Sequence, residues 1–105
     1  MRFVETPVFT QRLRGALGDE DHRALQVALV LRPEQGALIP GGGGLRKLRW
    51  GAAGRGKRGG LRVIYFWAPR EATVYMLYLY AKNEQGDLTP AQVRVLARLV
   101  REEFR

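Results

Sequence analysis

Apolar residues recur along this chain with two spacings, and the alternation between them marks out the elements. Met1 to Glu5 reads as a short strand, after which Thr6 and Pro7 supply an N-cap and a first helical residue whose missing N–H costs nothing. Phe9, Leu13, Ala16 and Leu17 then repeat at helical spacing. Gly18 interrupts, and Asp19, Glu20 and Asp21 bring negative charge to the positive end of a second helix that carries Leu25, Ala28 and Leu29 inward. Pro33 ends it. Gln35 to Gly44 reads as loop, because Pro40 and the glycines from Gly41 to Gly44 favour neither helix nor strand.

Leu45 to Trp50 alternates, so that Leu48 and Trp50 face a core while Lys47 and Arg49 share the opposite face. Gly51 to Gly60 is a second flexible connection. Leu61 to Ala68 and Thr73 to Lys82 are β-branched and aromatic on both faces, as central strands are, and Pro69 to Ala72 makes a tight antiparallel connection between them. On the last strand, alternation sends Tyr78, Tyr80 and Lys82 one way and Leu77 and Leu79 the other. The final helix opens on a capping box, Thr89 to Gln92, flanked by Leu88 and Val93, and carries Val93, Leu96, Ala97, Val100 and Phe104 as its stripe. The resulting order is β-α-α-β-β-β-α. It predicts an α+β fold: a small antiparallel sheet with an N-terminal helix pair and a C-terminal helix. A chain of 105 residues with 46% hydrophobic content is expected to form a single domain over 1–105.

Composition narrows the chemistry. With no cysteine and no serine, disulfides, thiolate metal sites and the common Ser and Cys nucleophiles are excluded, and His22 is the lone histidine. Gly54, Gly56 and Gly59 satisfy GxGxxG, and Gly51, Gly56 and Lys57 satisfy most of GxxxxGK, but both cradles require a following helix N-terminus. Here an apolar strand follows, and Arg58 stands where a Ser or Thr would hold magnesium. No stretch approaches the roughly 20 apolar residues that cross a bilayer, and the N-terminus lacks a signal-like apolar run. A cytoplasmic protein with no membrane partner is expected.

The formal charge of +8 draws in polyanions, which makes nucleic acid the expected macromolecular partner. Its distribution is uneven. Between Glu34 and Glu71 there is no acidic residue, while Arg46, Lys47, Arg49, Arg55, Lys57, Arg58, Arg62 and Arg70 are all present. A merely solvated basic face carries interspersed acids that limit self-repulsion, as the last helix does with Glu102 and Glu103 beside Arg94, Arg98, Arg101 and Arg105. Arg62 is costly in an otherwise apolar strand unless it meets an anion, so it is either a salt-bridge partner or a phosphate ligand. Arg62, Tyr80 and Lys82, with Lys47 and Arg49 across the sheet, would make a concave basic site containing one phenol.

The segments GLRKLRW (Gly44 to Trp50), GRGKRGGLRVIYF (Gly54 to Phe66), YAKNE (Tyr80 to Glu84) and DLT (Asp87 to Thr89) together resemble the RelE/HigB-type toxins of bacterial type II toxin–antitoxin systems. The resemblance covers nearly the whole chain. It implies a RelE-like toxin fold and a ribosome-dependent mRNA endonuclease that cleaves the translated message, with mRNA, the ribosome and its RNA, and a cognate antitoxin bearing a helix-turn-helix domain as partners. Attack of the message's own 2'-hydroxyl on the adjacent phosphate requires no metal and no other cofactor. The resemblance makes Arg62, Lys82, Lys47 and Tyr80 the catalytic candidates. Arg62 would stabilise the charged phosphorane, Lys82 and Lys47 would stabilise charge or transfer protons, and Tyr80 would stack on a base or take part in acid–base work. Arg46, Arg49, Arg55, Lys57 and Arg58 are expected to bind RNA, Lys57 by docking on ribosomal RNA or through the chemistry itself. Two other readings compete: a ParE-like toxin that inhibits gyrase without cutting RNA, and a non-catalytic RNA-binding module.

Overall fold

A computed structural model of the chain describes residues 1–51 and 60–104. Its elements are β1 (Arg2–Glu5), α1 (Pro7–Ala16), α2 (Asp19–Leu31), β2 (Ala37–Leu38), β3 (Leu45–Trp50), β4 (Leu61–Ala68), β5 (Thr73–Ala81) and α3 (Pro90–Leu99), which runs on into a π-helical turn, Val100–Phe104. The helix ends follow local chemistry. Thr6 Oγ1 accepts from Phe9 N at 3.1 Å to start α1, and Gly18 caps α2 ahead of its three acids. In front of α3 the capping box is reciprocal: Thr89 Oγ1 accepts from Gln92 N at 3.1 Å and Gln92 Oε1 from Thr89 N at 2.9 Å.

The strands form a five-stranded sheet in the order β1-β5-β4-β3-β2. Two expectations are corrected here. The sheet is mixed, because β1 pairs parallel with β5, Arg2 opposite Thr73 and Glu5 opposite Met76. Both helices of the N-terminal pair and three strands intervene between β1 and β5, so no hairpin constrains the direction of β1. Residues 35–44 are also more than loop, since Ala37 and Leu38 pair antiparallel with Lys47 and Arg46. Propensity does not favour a strand there. The open edge of β3, with backbone groups to satisfy, recruits one.

Helices cover both faces of the sheet. On one, Phe9 and Leu13 of α1 and Leu25 and Leu29 of α2 pack with Val63, Tyr65, Val74, Met76 and Leu79, and Leu48 and Trp50 join them as alternation requires. On the other, Leu96, Ala97 and Val100 pack with Leu45, Ile64, Phe66, Tyr75 and Leu77, while Phe104 stacks on Tyr75 with ring centroids 4.0 Å apart. The placement of Leu77 corrects simple alternation along β5. Ile64 pairs with Tyr78 but Tyr65 pairs with Met76, so a β-bulge leaves Leu77 as the extra residue and turns it toward α3, away from Leu79. Among the described residues no helix is long and apolar enough to cross a membrane.

Candidate functional site

Register across the three central strands assembles the site. Arg49 of β3 lies opposite Arg62 of β4, and Arg62 lies opposite Tyr80 of β5. Residues paired across strands share a face, so these three side chains form one row on the α3 side of the sheet, with Lys47 in the next row beside Ile64 and Tyr78. That face is apolar core at Leu45 and Phe66 and turns cationic two rows further along. A cavity of about 520 Å³ opens there, lined by Gln35, Ala37, Lys47, Leu48, Arg49, Arg62 and Gly86, with no acidic side chain among them.

Arg62 is only 7% exposed, and one of its terminal nitrogens donates to Leu61 O at 3.3 Å. Arg62 lies directly opposite Arg49, so two guanidinium-bearing side chains meet on one face of neighbouring strands. Tyr80 is 1% exposed, and its hydroxyl is sealed from solvent with no hydrogen-bond partner among the described residues. Burial pushes the phenol up from its ordinary pKa, and the nearby negative charge of Asp87 adds to this while Arg62 opposes it. Asp87 is close enough to act on the phenol through its field but does not meet hydrogen-bonding geometry.

Lys47 Nζ donates to Asp87 Oδ1 at 3.1 Å, and that oxygen also accepts from Leu88 N at 2.9 Å. The Lys47 hydrogen bond, joined by that from Leu88, holds the Asp87 carboxyl below its usual range against the opposing effect of desolvation. Lys82 follows the last residue of β5. It is exposed, and its backbone N–H extends the ladder by one bond, to Gly60 O at 2.8 Å. The turn beyond it is anchored from α1: Arg12 donates to Glu84 Oε1 and to Leu79 O, each at 2.5 Å, and its guanidinium lies 5.0 Å from the Tyr78 ring centroid.

Not every expected residue joins this face. Arg46 pairs with Tyr65 on the α1–α2 side, and one of its terminal nitrogens is committed to Glu34 O at 2.9 Å and Gly36 O at 2.8 Å, so it ties the α2–β2 connection to β3. Arg55, Lys57 and Arg58 lie outside the described residues. His22 faces Glu5 at 3.0 Å, far in sequence from the basic strands, and that same Glu5 accepts from Thr10. The residue to which sequence reasoning gave no role is Asp87, which entered it only as the first residue of the DLT segment before the α3 cap.

The fold and the cavity define an α+β protein that presents a cationic cleft at one end of its sheet. Residues 8–104 match the family of the RelE toxin of the RelE/RelB toxin–antitoxin system. The chain belongs to that family, and membership makes it the toxin of such a pair and implies an antitoxin as partner.

Proposed function

We propose that this toxin cleaves messenger RNA on the ribosome, using the 2'-hydroxyl of the message as nucleophile, and that its antitoxin neutralises it. The reading is carried by one observation: Arg49 and Arg62 stand directly opposite each other, with Lys47 beside them, around a cavity without acidic lining. Two guanidinium groups and an ammonium on one cavity suit it to a polyanion.

In the reaction the 2'-oxygen bonds to phosphorus while the bond from phosphorus to the 5'-oxygen breaks. The 2'-hydroxyl gives up its proton, and the departing 5'-oxygen receives one, leaving a cyclic phosphate and a 5'-hydroxyl end. Arg62 is suited to the extra negative charge of the phosphorane, because a guanidinium stays protonated and offers two donors to two oxygens. Lys47 lines the same cavity, and Lys82 is an exposed lysine two residues beyond Tyr80 where β5 ends, each a candidate in this scheme for stabilising charge or moving a proton. Tyr80, whose pKa is raised by burial first and then by the charge of Asp87, is unsuited to acting as a base, and its hydroxyl, sealed from solvent, would have to be uncovered before it could donate to the message.

The test is to add the protein to a translation extract and map message ends by primer extension. Wild-type protein should generate new ends within the translated region, and the double substitution Arg62→Ala with Lys82→Ala should abolish them. Intact message together with inhibited supercoiling by purified gyrase would overturn the proposal.

A further inference from the structure

Asp87 brings a carboxylate to the edge of an otherwise acid-free basic cavity, and its position is held by a chain of contacts. Its backbone carbonyl accepts from Gln85 Nε2 at 2.7 Å, the same amide nitrogen donates to Gln92 Oε1 at 2.9 Å, and Gln92 completes the capping box with Thr89. The start of α3 thereby sets the place of the loop, and Asp87 Oδ1 is further fixed by Leu88 N. This rigid end of the chain meets the flexible ammonium of Lys47, whose four-carbon stem would otherwise sample many rotamers. Stability alone gives little reason for the pair, because the Asp87 side chain is 70% exposed and surface bridges of this kind contribute little.

We propose that Asp87 is a positioning residue: it spends one of the three protons of the Lys47 ammonium to orient the other two into the cavity where the scissile phosphate sits. This rests on the cleavage reading of the site. Asp87 touches no reacting atom in this scheme. Its contribution is to supply Lys47 already ordered, so that its rotamer entropy is not lost in reaching the transition state.

The experiment is single-turnover cleavage of a translated message on ribosomes over a range of toxin concentration, with wild type, Asp87→Asn, Asp87→Glu, Lys47→Ala and the Lys47→Ala, Asp87→Asn double variant. Asparagine keeps an acceptor for Leu88 N and removes only the charge, and circular dichroism checks that the fold is kept. Asp87→Asn should lower the maximal rate about tenfold with half-saturation unchanged or tightened, since one negative charge fewer then faces the RNA. Asp87→Glu should recover part of the rate. In the Lys47→Ala background, Asp87→Asn should cost nothing further. A wild-type protein that leaves message intact overturns the cleavage reading and this role with it. Where wild type cleaves, full or increased activity of Asp87→Asn, full activity of Lys47→Ala, or an additive loss in the double variant overturns the Asp87 role alone.

Discussion

Replacing Tyr65 by phenylalanine removes one oxygen atom, yet the structure makes it a severe change. Tyr65 is fully buried in β4, and its hydroxyl is used twice, donating to Pro33 O at 2.7 Å and accepting from Gly36 N at 2.9 Å. It is the pin that holds the α2–β2 connection against the sheet, in a fit so close that a Cβ on Gly36 would lie 2.8 Å from Tyr65 Cε1. In Tyr65→Phe the Gly36 N–H stays buried without an acceptor, a cost of about 1–3 kcal/mol, while Pro33 O is partly open to water and loses less. The sum is about 2–3 kcal/mol, which for a chain of this length lowers the thermal midpoint by about 10–15 °C. Urea denaturation followed by circular dichroism measures it, with an unchanged slope as the sign that the unfolded state is unaffected. Tyr75→Phe is the control. Its hydroxyl bonds to Glu71, an exposed residue that water can satisfy, so its loss should cost under about 1 kcal/mol. If the two variants were equally stable, or Tyr65→Phe lost less than about 0.5 kcal/mol, the claim that Gly36 N is left without a partner would be refuted.

Three further outcomes are expected. Arg62→Ala should reduce message cleavage by about a hundredfold to a thousandfold without loss of folded structure, as measured by primer extension and circular dichroism. Gly44→Ala should destabilise the fold by about 1–3 kcal/mol in chemical denaturation, because Gly44 sits at φ 109° and an added Cβ would lie 2.8 Å from Phe66 Cε1. Glu84 is held below its ordinary pKa of 4.5 by the Arg12 hydrogen bond first and the Ala81 N–H second, so its stabilising contribution is complete above that value and is lost as pH falls through the lowered one. Glu84→Gln should therefore lower the thermal midpoint at neutral pH and flatten its decline on the acid side, and an unchanged acid slope would contradict the pairing.

Local signals in the sequence account for most of the elements. Thr6 and Pro7, Gly18 with the acids after it, and the box from Thr89 to Gln92 are complete within a few residues, and each starts a helix where expected. Period-two alternation on β3 likewise put Lys47 and Arg49 on one face and Leu48 and Trp50 on the other. What could not be read depends on partners distant in sequence. The two residues of β2 become a strand through β3, and β1 takes its direction from β5. The bulge at Leu77 has no glycine or proline to announce it, and it reassigns one large apolar residue from one core to the other. Arg46 belonged to the same acid-free run as Arg49, but its strand position already assigned it to the other face, where two carbonyls hold it. Charge runs report composition, whereas faces report what can act together.

Under the proposed cleavage, the same distinction defines what Asp87 would contribute. The basic run defines where a polyanion is attracted, but attraction alone binds substrate and transition state about equally and does not accelerate a reaction. Rate requires that particular cations be ordered before the substrate arrives. On β4 the sheet does this for Arg62, whose backbone is fixed by ladder hydrogen bonds and whose side chain is buried beside the Tyr80 ring of β5. Lys47 has the sheet for its backbone but a long stem beyond it, and the loop before α3 supplies the missing constraint. A cleft built only of cations would hold RNA tightly and orient it poorly. One well-placed carboxylate, weakening the total attraction slightly, converts part of that field into geometry.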